Sequence, residues 1–268
     1  MTGDSSRLNT DVPHPARRYN YWLGGKDHFA ADRASGDEIE KAFPGARLAV
    51  RANRDALGRM VTYLAGEAGV RQFLDIGTGL PTADNTHEVA QRIAPDSRVV
   101  YVDNDPLVLT HARALLTSSP QGRTAYIEAD LNDPEAILDH PQLREVLDLG
   151  KPVAVMLIAV AHFVHGAGAA KPLIDALLAP LAPGSHLALT HATTDLMTPE
   201  DRQAYMKLLE SGRLDVWPRD QQEIARLFEG MELVEPGIVV GTRWRRADQP
   251  GDLAPADAGF WAALARKP

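Results

Sequence analysis

Cysteine is absent from the 268 residues of this chain. Without a thiol the protein can form no disulfide, no thiolate nucleophile and no metal site with cysteine ligands.

Basic residues are too few for a general nucleic-acid binder. The chain has 28 lysines and arginines against 36 acidic residues, which gives a formal charge of -8. Binding to phosphates needs a concentrated basic surface. The densest basic cluster, Arg243, Arg245 and Arg246, has no interleaved aromatics and is typical of a solvated strand end or loop. We therefore expect no nucleic-acid partner.

Long apolar runs are also absent. The longest, from Val153 to Ala161, is too short to span a bilayer, and the first twenty residues contain no apolar segment of the secretory type. We expect a cytoplasmic protein with no membrane partner. The length and the 44% apolar content allow one main α/β core.

The stretch from Phe73 to Thr82 organises the rest of the chain. Its sequence, FLDIGTGLPT, is an apolar run that ends in Asp75 and continues through Gly77, Thr78 and Gly79. This pattern predicts a buried strand that breaks into a tight turn, where glycine permits positive φ and a close approach of a ligand. A helix-capping aspartate before an ordinary strand-to-helix loop is the alternative interpretation.

Two features of this turn disfavour a dinucleotide. The dinucleotide motif G-x-G-x-x-G ends in a third glycine, but Thr82 occupies that position here. Asp75 would also place a carboxylate close to the phosphates, where like charges repel. S-adenosylmethionine (SAM) has a sulfonium, an ammonium and no phosphate, so the same acid and glycines suit its methionine half.

Strand-like and helix-like patterns alternate after residue 70. We predict strands at 71–76, 98–103, 124–128, 152–158 and 185–190, helices at 84–94, 106–117, 199–211 and 219–229, and a closing pair of strands at 231–240 and 259–265. Such alternation predicts a doubly wound parallel sheet with helices on both faces.

Acids follow the second and third predicted strands. Asp103 ends VVYVD, and Asp130 follows YIEA. In a doubly wound sheet the ligand lies outside the carboxyl ends of the strands, so Asp103 is expected to accept the ribose hydroxyls and Asp130 the adenine amino group. Asn104 and Leu131 are expected to lie along the adenine ring. Asp130 can also be explained as part of a loop that caps a helix.

The segment before the sheet is predicted to cover the site. Residues 1–16 suggest a loose leader, residues 17–69 an aromatic and glycine-rich loop followed by helices, and residues 70–268 the main domain. The loop at 17–29 shows neither helical nor strand periodicity. Its candidate substrate or lid residues are Tyr19, Tyr21, Gly25 and Lys26. An aromatic plug beneath a terminal arm is the alternative.

The fourth predicted strand leads into Ala159, His162 and Phe163. This strand end is expected to face the transferring methyl group, with Ala159 at the cofactor and Phe163 at the substrate. His162 is a candidate general base, because its unperturbed pKa lies nearest neutrality. A histidine satisfied by backbone hydrogen bonds is the alternative. No third ligand accompanies His162 and His165, so we expect no metal.

Through DIGTG at residues 75–79, Asp103 and Asp130, residues 70–268 resemble the class I SAM-dependent methyltransferases. Over nearly the whole chain, the segments Tyr19 to Asp27, Arg51 to Arg54, Ala161 to Phe163 and Trp261 to Pro268 resemble bacterial S-adenosyl methyltransferases that were formerly a domain family of unknown function. The resemblance implies a Rossmann-like seven-stranded sheet whose last strand is antiparallel, and a cofactor held by Asp75, Gly77, Gly79, Asp103 and Asp130. It implies no particular acceptor. The third glycine of the general methyltransferase turn is absent, with Pro81 in its place.

The sequence is therefore consistent with three functions. The first is methyl transfer from SAM to an oxygen or nitrogen of a small molecule. The second is a module that binds SAM or S-adenosylhomocysteine (SAH) without catalysis, and the third is an NAD(P)-dependent oxidoreductase. The sequence is also compatible with a homo-oligomer.

Overall fold

The computed structural model describes residues 8–115, 118–246, 254 and 258–268. In this part of the chain one sheet contains eight strands. They are β1 (Gln72–Ile76), β2 (Arg98–Asp103), β3 (Arg123–Glu128), β4 (Ala154–Ile158), β5 (His186–Ala192), β6 (Glu232–Leu233), β7 (Val239–Val240) and β8 (Phe260–Arg266).

The strand order is β3-β2-β1-β4-β5-β8-β6, and β7 also pairs with β8. Strands β1 to β5 are parallel, whereas β8 runs antiparallel to β5, β6 and β7. The doubly wound sheet with an antiparallel last strand is thus confirmed. The order reverses between β1 and β4, which is where ligands of such sheets bind.

The seven predicted strands form the main order of the sheet, and β7 is an eighth strand that pairs with β8 off this path. The expected strand at 231–240 is two short strands, β6 and β7, because the sequence between them contains Pro236 and Gly237. Proline cannot donate to a strand ladder, and Gly237 has a φ of 82°, which extended strands do not allow.

Helices cover both faces of the sheet. They are α1 (Pro15–Trp22), α2 (Ala30–Ala42), α3 (Ala46–Gly66), α4 (Thr86–Ile93), α5 (Pro106–Leu115), α6 (Pro134–Leu138), α7 (Pro141–Val146), α8 (Ala170–Leu178), α9 (Pro199–Glu210) and α10 (Gln221–Leu227), with 3₁₀ turns at Ala161–Phe163 and Gly241–Arg243. Four of these were predicted to within three residues. Residues 116–117, the predicted end of α5, lie outside the described residues.

Alternate side chains of β1 enter two different hydrophobic clusters. Phe73 packs with α3, including Leu57, Met60 and Leu64, and Leu74 packs on the other face with residues of α8. The apolar face of α3 is therefore buried against the sheet. The domain boundary at residue 70 stays a prediction.

The predicted irregular loop at 17–29 is wrong for its first part, which forms α1. Pro15 starts this helix, and the His14 ring accepts a hydrogen bond from the Ala16 N–H. The buried residues of α1 include Arg17, Arg18 and Asn20, so its inward face is polar. A search for apolar periodicity cannot detect such a helix. Of the predicted leader, residues 1–7 lie outside the described residues and 8–14 have no regular secondary structure.

None of the described helices has both the length and the apolar character needed to cross a bilayer.

Candidate functional site

A cavity of about 390 Å³ opens at the carboxyl ends of the parallel strands. Its size falls in the range of small-molecule sites. The part that we call the strand half lies at the ends of β1, β2 and β3 and is lined by Asp75 to Gly79, Asp103, Asn104 and Ala129 to Asn132. The part that we call the helical half lies at the ends of β4 and β5, and its walls come mainly from α1, α2, α3 and α9 and from Leu214 and Val216.

The two glycines of the turn after β1 have different roles. Gly77 has a φ of 72°, and a Cβ there would lie 2.3 Å from Val160 Cγ2, so this glycine permits close packing against the end of β4. Gly79 has a φ of 68°, and a Cβ there would meet no atom within 4 Å. Gly79 therefore presents bare backbone to open space at the cavity.

Asp75 is a buried carboxylate in the cavity wall. Its Oδ2 accepts a hydrogen bond of 2.6 Å from the Thr86 hydroxyl. Burial raises the pKa of Asp75 to about 6; the Thr86 hydrogen bond and the nearby Arg54 oppose this rise, and the charge of Asp103 adds to it. The ionised form of Asp75 is therefore unfavourable in the unliganded protein, and a cationic ligand would stabilise it.

This pKa predicts a pH dependence of SAM binding. Below about pH 6 the unliganded Asp75 is protonated, and cationic SAM prefers the ionised form. Affinity should fall by up to about tenfold per pH unit below that value. Burial also raises the pKa of Asp103, so part of the fall belongs to that group. Calorimetric titrations from pH 5 to pH 8 measure the slope.

The matched control for this titration is Asp75→Asn, which keeps the shape of the side chain and removes its charge. It should bind SAM weakly at pH 8 and lose less affinity on acidification than the parent. Equal parent affinities at pH 5 and pH 8 would contradict the assignment of Asp75.

Asp103 connects the end of β2 to the glycine turn. Its Oδ2 accepts the Gly79 N–H at 2.8 Å, and its Oδ1 accepts the Asp105 N–H at 2.9 Å. Each oxygen keeps one lone-pair direction for a ligand hydroxyl. Asp103 therefore shapes the turn and lines the cavity as well.

Asp130 is held by two asparagines. Asn104 donates to its Oδ2 at 2.8 Å, and the Asn132 N–H and side-chain amide donate to its Oδ1 at 2.8 and 2.7 Å. Burial acts to raise the pKa of Asp130, but these hydrogen bonds outweigh it and lower the pKa. Asn104, Asp130 and the buried Leu131 all line the strand half.

The strand half fits SAM on the chemistry of its own groups. Two buried carboxylates beside a glycine with open space at its Cβ position suit a ligand with cationic groups and vicinal hydroxyls. A polyphosphate would be repelled by the same two carboxylates.

A hydrogen-bonded chain joins the end of β4 to α3 and α1. Ala159, with a φ of 57°, donates its N–H at 2.9 Å to the Thr190 hydroxyl, which donates at 2.6 Å to Asn53 Oδ1. Asn53 Nδ2 donates at 2.9 Å to the Tyr19 hydroxyl, which in turn donates to the Val50 carbonyl. These residues all line the cavity, and all of them belong to its helical half.

His162 lies in the cavity wall, but its Nδ1 accepts a 3.3 Å hydrogen bond from the Ala192 N–H. Burial, together with the charges of Arg219 and Arg18, lowers the pKa of His162 to about 3. The neutral ring therefore carries its proton on Nε2, which is a hydrogen-bond donor. These facts favour the alternative of a backbone-satisfied histidine over a general base.

Arg219 organises the 3₁₀ turn that carries His162. It is buried and donates to the carbonyls of Ala161, Val164 and Gly166. Its Nη1 also lies 2.9 Å from His191 Nε2, so His191 accepts there and donates from Nδ1 to the Ala192 carbonyl. Sequence reasoning missed Arg219, since nothing local marks it.

Tyr19 and Phe163 are brought to the cavity as predicted, whereas Tyr21, Gly25 and Lys26 are not among the lining residues. The Tyr21 hydroxyl donates to Asp37 at 2.7 Å, Gly25 packs on the Asn20 side chain, and Lys26 is exposed. For Tyr21 the reason is the helical geometry of α1, which places Tyr19 and Tyr21 on different faces, whereas Gly25 and Lys26 follow the end of this helix. In their place the helical half contains residues that were not predicted, namely Arg18, Asn53, Tyr205, Leu214 and Val216.

Among the described residues no group of three histidines, aspartates or glutamates is arranged to hold a metal ion.

Comparisons with known proteins agree with this geometry. The model of a family described as S-adenosyl methyltransferase matches residues 1–268. A DUF574-family protein from Streptomyces avermitilis is 46% identical, with a TM-score of 0.91 over 97% of this chain and 99% of its own. A proposed methyltransferase from Thermobifida fusca is 42% identical, with a TM-score of 0.87 over 100% of this chain and 99% of its own.

An O-methyltransferase family protein from Burkholderia thailandensis is similar in fold alone, with 15% identity and a TM-score of 0.54 over 98% of this chain and 67% of its own. No curated protein matches the chain. The cofactor is SAM, and the protein is a SAM-dependent methyltransferase. The chain belongs to the S-adenosyl methyltransferase family.

Proposed function

We propose that the protein transfers the methyl group of SAM to an oxygen or nitrogen of a small molecule held in the helical half of the cavity. The observation that carries this proposal is the continuity of one cavity from the carboxylates at the ends of β1 to β3 to the enclosed walls built by α1, α2 and α9.

The strand half holds the cofactor in this proposal. Asp103 accepts the ribose hydroxyls, Asp130 the adenine amino group, and Asp75 faces the cationic methionine half, with Leu131 against the adenine. Bound SAM supplies a methyl group on a sulfonium, which is activated for in-line displacement. The chain contributes the orientation of both partners and a site with little water.

His162 acts as a hydrogen-bond donor in this proposal. A ring whose pKa lies near 3 is a poor acceptor of the proton of a hydroxyl or an ammonium. The acceptor is therefore a nucleophile that needs no protein base, such as an ionised oxygen or an uncharged nitrogen.

The test is incubation with methyl-labelled SAM and a small-molecule extract, followed by mass spectrometry. Label should appear in an extract compound with the native protein and not with Asp103→Ala. Tight SAM binding with no labelled compound from any extract would instead favour the binding module without catalysis.

A further inference from the structure

The walls of the helical half are mostly apolar and aromatic. Side chains from α2, α9 and the segment after α9 form one hydrophobic cluster around Ile39, Tyr205, Leu214 and Val216, and Phe43 and Phe163 pack against it. All six also line the cavity. A ligand there buries an apolar or aromatic body.

Arg18 brings a charge into these walls. Its side chain is 5% exposed, and its Nη2 pairs with Asp215, whose own side chain is 42% exposed. The Arg18 Nε has no hydrogen-bond partner in the described part of the chain. A buried guanidinium that keeps a donor unpaired is costly unless a ligand or neighbour satisfies the group.

Two further polar residues of the helical half can donate hydrogen bonds. His162 offers Nε2–H, because its Nδ1 accepts from Ala192, and the Tyr205 hydroxyl can donate as well. Asp75, Asp103 and Asp130, the acids among the described lining residues, all lie in the strand half. The helical half therefore contains the Arg18 guanidinium, paired through Nη2 with Asp215 but with Nε unpaired, together with further hydrogen-bond donors, and these groups select a ligand with acceptor oxygens.

We propose that the methyl acceptor is an apolar organic acid with an aromatic or alicyclic body, which binds with its carboxylate against Arg18. This inference rests on the proposed function, because it assigns the helical half to the acceptor. A guanidinium binds a carboxylate through charge-assisted hydrogen bonds, and the hydrophobic cluster covers the body of the ligand.

The experiment measures binding in the presence of SAH, so that it does not depend on turnover. The probes are 3-phenylpropionate, indole-3-acetate and cyclohexanecarboxylate, each paired with its primary amide, and ligand-observed NMR titration gives the affinities. At least one acid should bind the native protein about tenfold or more tightly than its amide, which is the effect of one charge-assisted hydrogen bond.

The preference for acids should disappear in Arg18→Met and be partly kept in Arg18→Lys. Binding of SAH to each variant reports that it has folded, and Arg92→Met, at a pair 63% exposed, is the matched surface control. If Arg18→Met does not fold, the proposal is tested by comparing acids with amides on the native protein and on Arg18→Lys. The native protein should prefer the acid, and Arg18→Lys should show a smaller preference.

Two failures are distinguishable. If SAH itself does not bind the native protein, the proposed function fails. If SAH binds but no acid binds better than its amide, or the preference survives in Arg18→Met, the assignment of an acidic acceptor is overturned.

Discussion

Replacing Arg17 by methionine should lower the free energy of unfolding by about 3 to 5 kcal/mol, the cost of leaving one member of a buried ion pair alone. Arg17 donates from Nε and Nη2 to both carboxylate oxygens of Asp105, at 2.8 and 2.9 Å. The two side chains are 4% and 0% exposed. Chemical denaturation followed by circular dichroism measures the loss.

The same substitution should weaken SAM binding, because the pair anchors α1 beside the carboxyl end of β2, where we expect the cofactor. The Asp105 N–H donates to Asp103, and Asp103 accepts the Gly79 N–H. A loosened Asp105 therefore disturbs the carboxylate expected at the ribose.

The control for Arg17→Met is Arg92→Met. Arg92 pairs with Asp84, and both side chains are 63% exposed, so the loss there should be about 1 kcal/mol or less. A double-mutant cycle with Asp105→Asn isolates the coupling energy of the Arg17 pair. If Arg17→Met and Arg92→Met lower the free energy of unfolding by similar amounts, the buried pair stabilises the fold no more than a surface pair does.

Replacing Asp103 by alanine should reduce the affinity for SAM by about 10- to 100-fold, because hydrogen bonds to a charged group contribute about 1.5 to 3 kcal/mol. The loss combines the ribose contacts with the release of the Gly79 N–H. Isothermal titration calorimetry of native and variant protein gives the ratio.

Asp103→Asn separates these two contributions. The amide oxygen can replace one of the two acceptors, but its NH₂ then faces a backbone N–H, of Gly79 or of Asp105. Its affinity should therefore lie below that of the native protein. Asp96→Ala, at a residue whose side chain is 67% exposed, is the control and should change nothing. Native affinity in Asp103→Ala would remove this residue from the site.

The strand half of the site could be predicted from sequence because its residues come from strand ends. Asp75, Asp103 and Asp130 each follow a short apolar run, and the carboxyl ends of parallel strands share one edge of the sheet. Strand periodicity is a local property, so it also predicted β1 to β5 closely.

The helical half could not be predicted in the same way. Its arrangement depends on partners distant in sequence, such as Arg17 with Asp105, 88 residues away, and Thr190 with Asn53, 137 residues away. Helix α1 buries two arginines and an asparagine beside a single apolar residue, Ala16, so its own sequence resembles a loop. The short helices α6 and α7 are too brief to show a helical period.

The proposed function depends most on where the cofactor lies, and a crystal structure of the protein with SAH tests that directly. We expect the ribose hydroxyls within hydrogen-bond distance of Asp103, the adenine beside Asp130 and Leu131, and the sulfur directed towards the helical half. Density for SAH away from the ends of β1, β2 and β3 would contradict the account.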